Sequence, residues 1–262
     1  MSDENTQDAP ELLTQLEQGV MTLTLNRPDR LNALNPSLMR ALNEAVARAA
    51  SDPAVACVVL TGAGRAFCAG GDMKASAASR AAPAPETSKP PTSFEARRDW
   101  LRRSMEAARL LHDMPKPTIA MINGACAGAG LSLAGACDLR YAGESAVLTT
   151  AFARAGLSGD YGGSWFWTRI AGTAKARELF FLAEKIDAQT ALAAGLVTAV
   201  HPDAELADRT LAIARELAAR PGAAFNYMKR NLNAAETQSI EAVLDLEAVS
   251  MLLSRQALST SR

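Results

Sequence analysis

Residues 123–133 read NGACAGAGLSL, directly after an apolar run, Thr118 to Ile122, with the length and branching of a strand. A second segment of the same kind, FCAGGDMK at residues 67–74, follows another buried run, Val55 to Thr61. Glycine and alanine at this density let a backbone approach a ligand closely. A helix N-terminus beyond such a turn presents unpaired N–H donors with a favourable dipole. Two donors of this kind converging on one oxygen would form an oxyanion hole. Neither segment is a phosphate-binding loop, because GxxxxGK[ST] is absent, and neither pairs a nucleophile with a base. Composition alone leaves a plainer reading open, in which both runs serve only tight packing of helix on sheet.

Working outward, residues 20–26 (VMTLTLN) alternate Met21, Leu23 and Leu25 with threonines, the period of a half-buried strand. Asn35-Pro36 opens a helix with Leu38, Ala41, Leu42 and Ala45 at helical spacing. A helix is predicted at 94–112 and further strands at 139–142 and 196–200. The last 60 residues read as helical, with Ile240, Val243, Leu244, Ala248, Met251 and Leu252 on one apolar stripe. Strands recurring with helices between them imply an α/β fold with a helical C-terminal part. Residues 1–10 are polar and read as disordered. Residues 75–93, rich in Ala, Pro and Ser, read as a mobile loop serving as a lid, an access segment or a mere insertion.

The 262 residues suffice for a sizeable core, and 48% hydrophobic with 21% charged residues is ordinary globular composition. A net charge of −1 offers no footprint for nucleic acid or an acidic membrane. The arginines at 97, 98, 102 and 103 read as a solvated helix face. The polar first ten residues hold no apolar stretch, so no secretory signal is expected, and no run approaches the ~18 apolar residues a membrane span needs. Cys57, Cys68, Cys126 and Cys137 lack CxxC spacing and lie in apolar or Gly/Ala-rich surroundings. They read as reduced thiols of a cytoplasmic protein. With only His112 and His201, both read as structural, no metal site is expected.

Taken together, the motifs resemble the enoyl-CoA hydratase/isomerase (crotonase) family over nearly the whole chain. The matching pieces are Asn26-Arg27-Pro28 with Asn32-Ala33-Leu34, FCAGGDMK, Lys116-Pro117, Ile122-Asn123-Gly124, AGAGLSL, Cys137-Asp138 and Gly195-Leu196-Val197. The resemblance implies a spiral of repeated ββα units at 11–200, interrupted by the loop at 75–93. It implies a helical trimerisation part at 201–262, assembling a trimer or a dimer of trimers. It implies an acyl-CoA substrate, with coenzyme A entering as part of that substrate and no separate cofactor. By position, the oxyanion donors would be the N–H groups of Gly71 and Ala129. Arg30, Leu31, Ala33, Ala69, Asp72, Met73 and Lys74 would line the CoA. The family commonly has glycine where Ala129 stands; alanine still donates its N–H.

Hydratases of the family use two glutamates. Their positions here hold Ser132 and Phe152, and no carboxylate occurs at 125–137 or 145–159. The first acid beyond is Asp160, in Ser158-Gly159-Asp160-Tyr161-Gly162-Gly163, where relatives using a single aspartate carry it. One base beside an oxyanion hole suffices to move a proton between carbons α and γ to a thioester. Asp160 is therefore the expected acid/base of an isomerase. The plainer reading makes it an Asx-turn residue or the cap of a helix from Ser164. Ser132 reads as a packing hydroxyl or a holder of water; Phe152 and Tyr161 read as core aromatics or walls of an acyl pocket. Competing functions are hydration by a rearranged site, Asp160 as a nucleophile, and a non-catalytic acyl-CoA-binding paralogue.

Overall fold

The computed structural model describes residues 9–72 and 93–260, and everything below concerns those residues. Residues 1–8 of the predicted disordered terminus lie outside them, as do 75–92 of the predicted loop. Pro10, by contrast, is tied down, its carbonyl accepting a hydrogen bond from Asn26 Nδ2 at 2.9 Å.

A six-stranded sheet carries the fold in the order β1 (Leu12–Glu17), β2 (Val20–Leu25), β3 (Cys57–Gly62), β5 (Thr118–Ile122), β7 (Leu139–Gly143), β10 (Ala199–His201). All neighbours are parallel except the β1–β2 hairpin. Both faces of this sheet are covered, which is why β3 and β5 read as unbroken apolar runs. Val58 and Leu60 face the main core with Leu38, Leu42 and Leu111. Cys57 and Val59 face a second cluster with Leu206 and Ala214 of the helix Leu206–Ala218. That helix packs on the sheet, so the first helix of the region assigned to subunit contacts belongs to the core.

A second, smaller sheet has the order β4 (Ala66–Cys68), β6 (Ala125–Ala127), β8 (Val147–Thr149), β9 (Ile186–Asp187). The repeat is now visible. A strand of the large sheet passes into a short strand of the small one and then into a helix: β5–β6–α4 and β7–β8–α5. The helices in chain order are α1 (Pro36–Ser51), α2 (Phe94–Ser104), α3 (Glu106–Asp113), α4 (Ala129–Ala136), α5 (Gly163–Leu182), α6 (Ala188–Ala193), α7 (Leu206–Ala218), α8 (Gly222–Ala235) and α9 (Ile240–Thr260). The fold is thus a mixed α/β spiral of ββα units with a helical C-terminal part.

Local chemistry explains several boundaries. Asn35 caps α1 by accepting from Leu38 N at 2.8 Å, with Pro36 at the first helical position. The single helix expected at 94–112 is two, because Met105 leaves helical geometry at φ −86°, ψ 3°. The strand expected at 196–200 begins only at Ala199. None of the described helices is long and apolar enough to cross a membrane.

A buried cation helps to hold α8 to the core. Lys229 of α8 donates to the carbonyls of Leu111 (2.8 Å) and Lys116 (3.2 Å) and to Asp138 Oδ2 (2.8 Å). Asp138 Oδ2 also accepts from Thr118 N and Oγ1. Removing one partner of a buried pair costs more than the pair contributes, because the other charge stays behind. Lys229→Met is expected to destabilise the protein by roughly 2–4 kcal/mol in chemical denaturation, with Asp138→Asn in the same background restoring part of the loss.

Candidate active site

Residues 27–34 form a tight turn whose shape depends on Asn32. Leu31 and Asn32 both adopt left-handed φ (50° and 57°), and Asn32 is fully buried. Its amide donates to Ala63 O (2.9 Å) and Ala66 O (2.7 Å), and its Oδ1 accepts from Arg27 N (2.9 Å). The turn is thereby pinned beside the exit of β4, where Ala69 N donates to Leu31 O (2.9 Å) and Leu34 N donates to Gly70 O (2.7 Å). In a trans peptide the C=O and the following N–H point in opposite directions. Because Gly70 C=O points at Leu34, the Gly71 N–H points away from it. It has no acceptor among the described residues, and a Cβ built on Gly71 would meet nothing within 4 Å. The N–H of the first expected donor thus has no acceptor among the described residues, and the Cβ side of Gly71 is open.

Ala129 is the first residue of α4, so its N–H is one of the helix's orphan donors. Gly128 ahead of it has φ 52°, and α4 packs so closely on β4 that a Cβ on Gly130 would collide with the carbonyl of Cys68. The two donor segments meet at Gly70 (φ 93°). A Cβ there would lie 3.0 Å from Ala127 O and 3.5 Å from Ala129 N. Glycine at 70 keeps that space clear.

The expected CoA-lining residues divide. Leu31, Ala33, Ala69 and Asp72 are gathered by the Leu34–Gly71 bridge. The Asp72 carboxylate, however, is held by Arg27 at 3.0 Å, and Arg27 also pairs with Glu11 at 2.9 Å. Asp72 thus works in the turn. Arg30 is exposed on the outer side of the turn. Met73 and Lys74 lie outside the described residues.

Asp160 sits in a turn where Gly156, Gly159, Tyr161 and Gly162 all have left-handed φ. The capping role is overturned. Gly162 occupies the N-cap of α5 with no side-chain hydrogen bond, and Asp160 contributes only its backbone carbonyl, to Gly163 N at 3.0 Å. Its Oδ1 is buried without a hydrogen-bond partner among the described residues, and burial pushes the carboxyl up to about 6. Asp160 lies near enough to Cys68 for its charge to add to the effect of burial on that thiol, which stands at about 12. Phe152 joins the parts. Its ring lies 3.7 Å from a Cβ built on Gly128 and 3.6 Å from one built on Gly159.

Ser132 does not serve as a free hydroxyl. It is buried, donates to Gly128 O at 3.3 Å, and its side chain lies against Gly163. His112 packs edge-on to Trp165 with ring centres 4.9 Å apart. All four cysteines are free and buried. No group of side chains among the described residues could hold a metal ion. Beside the Asp160 turn opens a cavity of about 550 Å³, bordered by Met105, Ala108, His112, Tyr161, Gly162 and Phe166.

Known proteins share this architecture and this sequence. The 1,2-epoxyphenylacetyl-CoA isomerase of Escherichia coli strain K12 is 39% identical over 236 residues, covering 90% of this chain and 87% of that protein. The crystal structure of an enoyl-CoA hydratase from Polaromonas sp. JS666 superimposes with a TM-score of 0.83 at 33% identity, covering 92% of this chain and 90% of that one. An enoyl-CoA hydratase from Mycobacterium smegmatis gives 0.83 at 30% identity, covering 94% and 91%. The family model described as enoyl-CoA hydratase/isomerase matches residues 15–257, and the chain belongs to that family.

Proposed function

We propose that the protein is an acyl-CoA isomerase, shifting a double bond along an acyl group with Asp160 as its single acid/base. The observation that carries the reading is the state of Asp160: a half-buried carboxylate with one enclosed oxygen that has no partner among the described residues, in a turn joined to the Gly128–Ala129 segment by the ring of Phe152. The two positions where hydratases hold glutamate are filled by a hydroxyl spent on Gly128 O and by an aromatic ring. Delivery of water by two carboxylates has no groups to perform it there. The E. coli relative is likewise named an isomerase of an acyl-CoA, although of an epoxide.

In this mechanism the thioester oxygen accepts hydrogen bonds from the Gly71 and Ala129 N–H groups. Asp160 removes a proton from the carbon α or γ to the carbonyl. The electron pair moves through the conjugated system onto the thioester oxygen, and the protonated Asp160 returns its proton at the other carbon. Coenzyme A enters only as part of the substrate, its near portion lying along Leu31, Ala33 and Ala69. The small residues around the donors leave room for a cyclic or aryl-acetyl group. Assembly as a trimer or a dimer of trimers would cover Ile240, Leu244, Met251 and Leu252, which α9 leaves exposed.

Asp160→Asn keeps the shape but cannot accept a proton. Exchange of the α-proton of a 3-enoyl-CoA in deuterated water is expected to fall by ~10²–10⁴-fold, with thioester affinity nearly unchanged. A wild-type exchange rate would sink the mechanism. In the wild-type enzyme kcat/KM should rise with pH through about 6, because the base works only when ionised.

Proline is favoured at the first position of a helix, where the missing N–H breaks no helical bond. Ala129→Pro is therefore expected to fold normally while kcat falls by ~10²–10³-fold, since a lost oxyanion donor is felt most in the transition state. Equal losses in turnover and in thioester binding would argue against Ala129 as a donor. Light scattering at micromolar concentration should report a trimer or hexamer; a stable monomer would refute the assembly.

A further inference from the structure

We propose that Tyr161 is a specificity residue, whose buried phenolic hydroxyl donates a hydrogen bond to an uncharged oxygen carried on the acyl group. The inference rests on the reading of this site as an acyl-thioester site, and it adds the chemistry of the acyl group to it.

The starting point is a hydroxyl with no protein acceptor. Tyr161 is only 3% exposed, and its Oη is buried without a hydrogen-bond partner among the described residues. Leaving a buried polar group unsatisfied is unfavourable, whereas phenylalanine would fill the same space without that penalty. The ring itself is well used, packed within the main core with Cys68 and Phe166. The hydroxyl has no comparable structural use.

Its surroundings point to a ligand. Tyr161 follows Asp160 directly, so two successive residues each hold a buried polar atom without a partner. The backbone holds them there at a cost, since Tyr161 takes φ 52°, a conformation L side chains rarely adopt. Its amide donates to Met105 Sδ at 3.2 Å, which seats the turn against the start of α3. Tyr161 and Met105 also border the 550 Å³ cavity, together with the apolar walls of Ala108 and Phe166. An acyl group whose reacting carbons lie at Asp160 has this cavity as its adjoining space.

The charge around the hydroxyl restricts what it can bind. Burial, then the neighbouring Asp160 and Cys68, hold the phenol well above its usual range, so it stays protonated and keeps its proton to donate. Arg102 and Arg109 also line the cavity, but both are exposed and paired with Glu106 or Asp113, so the charge next to the hydroxyl is that of Asp160, which disfavours a carboxylate or phosphate there. What remains is a hydroxyl, ether or carbonyl oxygen beyond the reacting carbons.

The test uses non-reacting thioesters, so it does not depend on any turnover. Titration calorimetry would compare hexanoyl-CoA with its 5-hydroxy and 6-hydroxy derivatives, on the wild type and on Tyr161→Phe. At least one hydroxylated thioester should bind the wild type about tenfold more tightly than hexanoyl-CoA, and the variant should lose that preference while keeping its affinity for hexanoyl-CoA. The denaturation midpoint of unliganded Tyr161→Phe should be equal to or above that of the wild type. No preference in the wild type, an equal loss of affinity for all three thioesters, or a lowered midpoint would each overturn the proposal. If the isomerase mechanism alone is wrong, proton exchange is absent while the binding preference persists.

Discussion

The site depends on the pairing of two three-residue strands. β4 and β6 are parallel neighbours in the small sheet, so the chain leaves both on the same side. One exit becomes Ala69-Gly70-Gly71 and the other Gly128-Ala129, which brings donors 58 positions apart in the chain side by side. The large sheet makes this possible by delivering β3 and β5 in parallel, one feeding each short strand. Asn32 and Asn123 then fasten the turns between the sheets. The amide of Asn123 donates to Gly62 O and Gly64 O at 2.8 Å, while that of Asn32 donates to Ala63 O and Ala66 O. Side-chain amides here replace the backbone ladder that a change of sheet interrupts. Their loss would loosen the relation between the two donors as well as the fold.

The large sheet was readable in the sequence wherever burial left a mark. β3 and β5 are apolar throughout because both faces are covered, and β2 alternates. β1 leaves no such mark: only Leu12 of its six residues is buried, and it owes its place to the β1–β2 hairpin ladder. The strands of the small sheet have two or three residues, too few for any period to appear, so the pairing of Gly71 with Ala129 as donors could be expected only from the resemblance. Asp160 shows the same limit. Its local sequence suited a cap, and only the three-dimensional turn, with Gly162 at the N-cap, separates the two roles. Ser132 was proposed from its spacing after Ala129. That spacing puts it four residues beyond Gly128, where a serine hydroxyl bonds back to the helix's own carbonyl. Tyr161 read as a core aromatic or a pocket wall, and no role fell to its hydroxyl, because sequence cannot reveal that a buried hydroxyl lacks an acceptor.

The electrostatics of Asp160 connect stability to the proposed chemistry. A carboxyl whose pKa is raised from 3.8 to about 6 is more comfortable protonated in the fold than in the unfolded chain. Its favourable contribution is complete below the ordinary value and is lost as pH rises through 6. Above that, holding the ion costs the fold on the order of 3 kcal/mol. The base is therefore competent only in the pH range where the fold tolerates it least. In the proposed reaction that cost is relieved at the productive moment. When Asp160 takes the proton, the single negative charge leaves a carboxylate with an unpartnered oxygen and appears on the thioester oxygen, beside two backbone N–H groups. The charge is conserved but its solvation improves, which favours the enolate over the resting pair. A hydrogen bond built to stabilise the Asp160 carboxylate would deepen the starting state by the same amount and remove that advantage. In the proposed reaction the unpartnered oxygen is thus part of the chemistry, and the fold sustains it by burying apolar surface elsewhere.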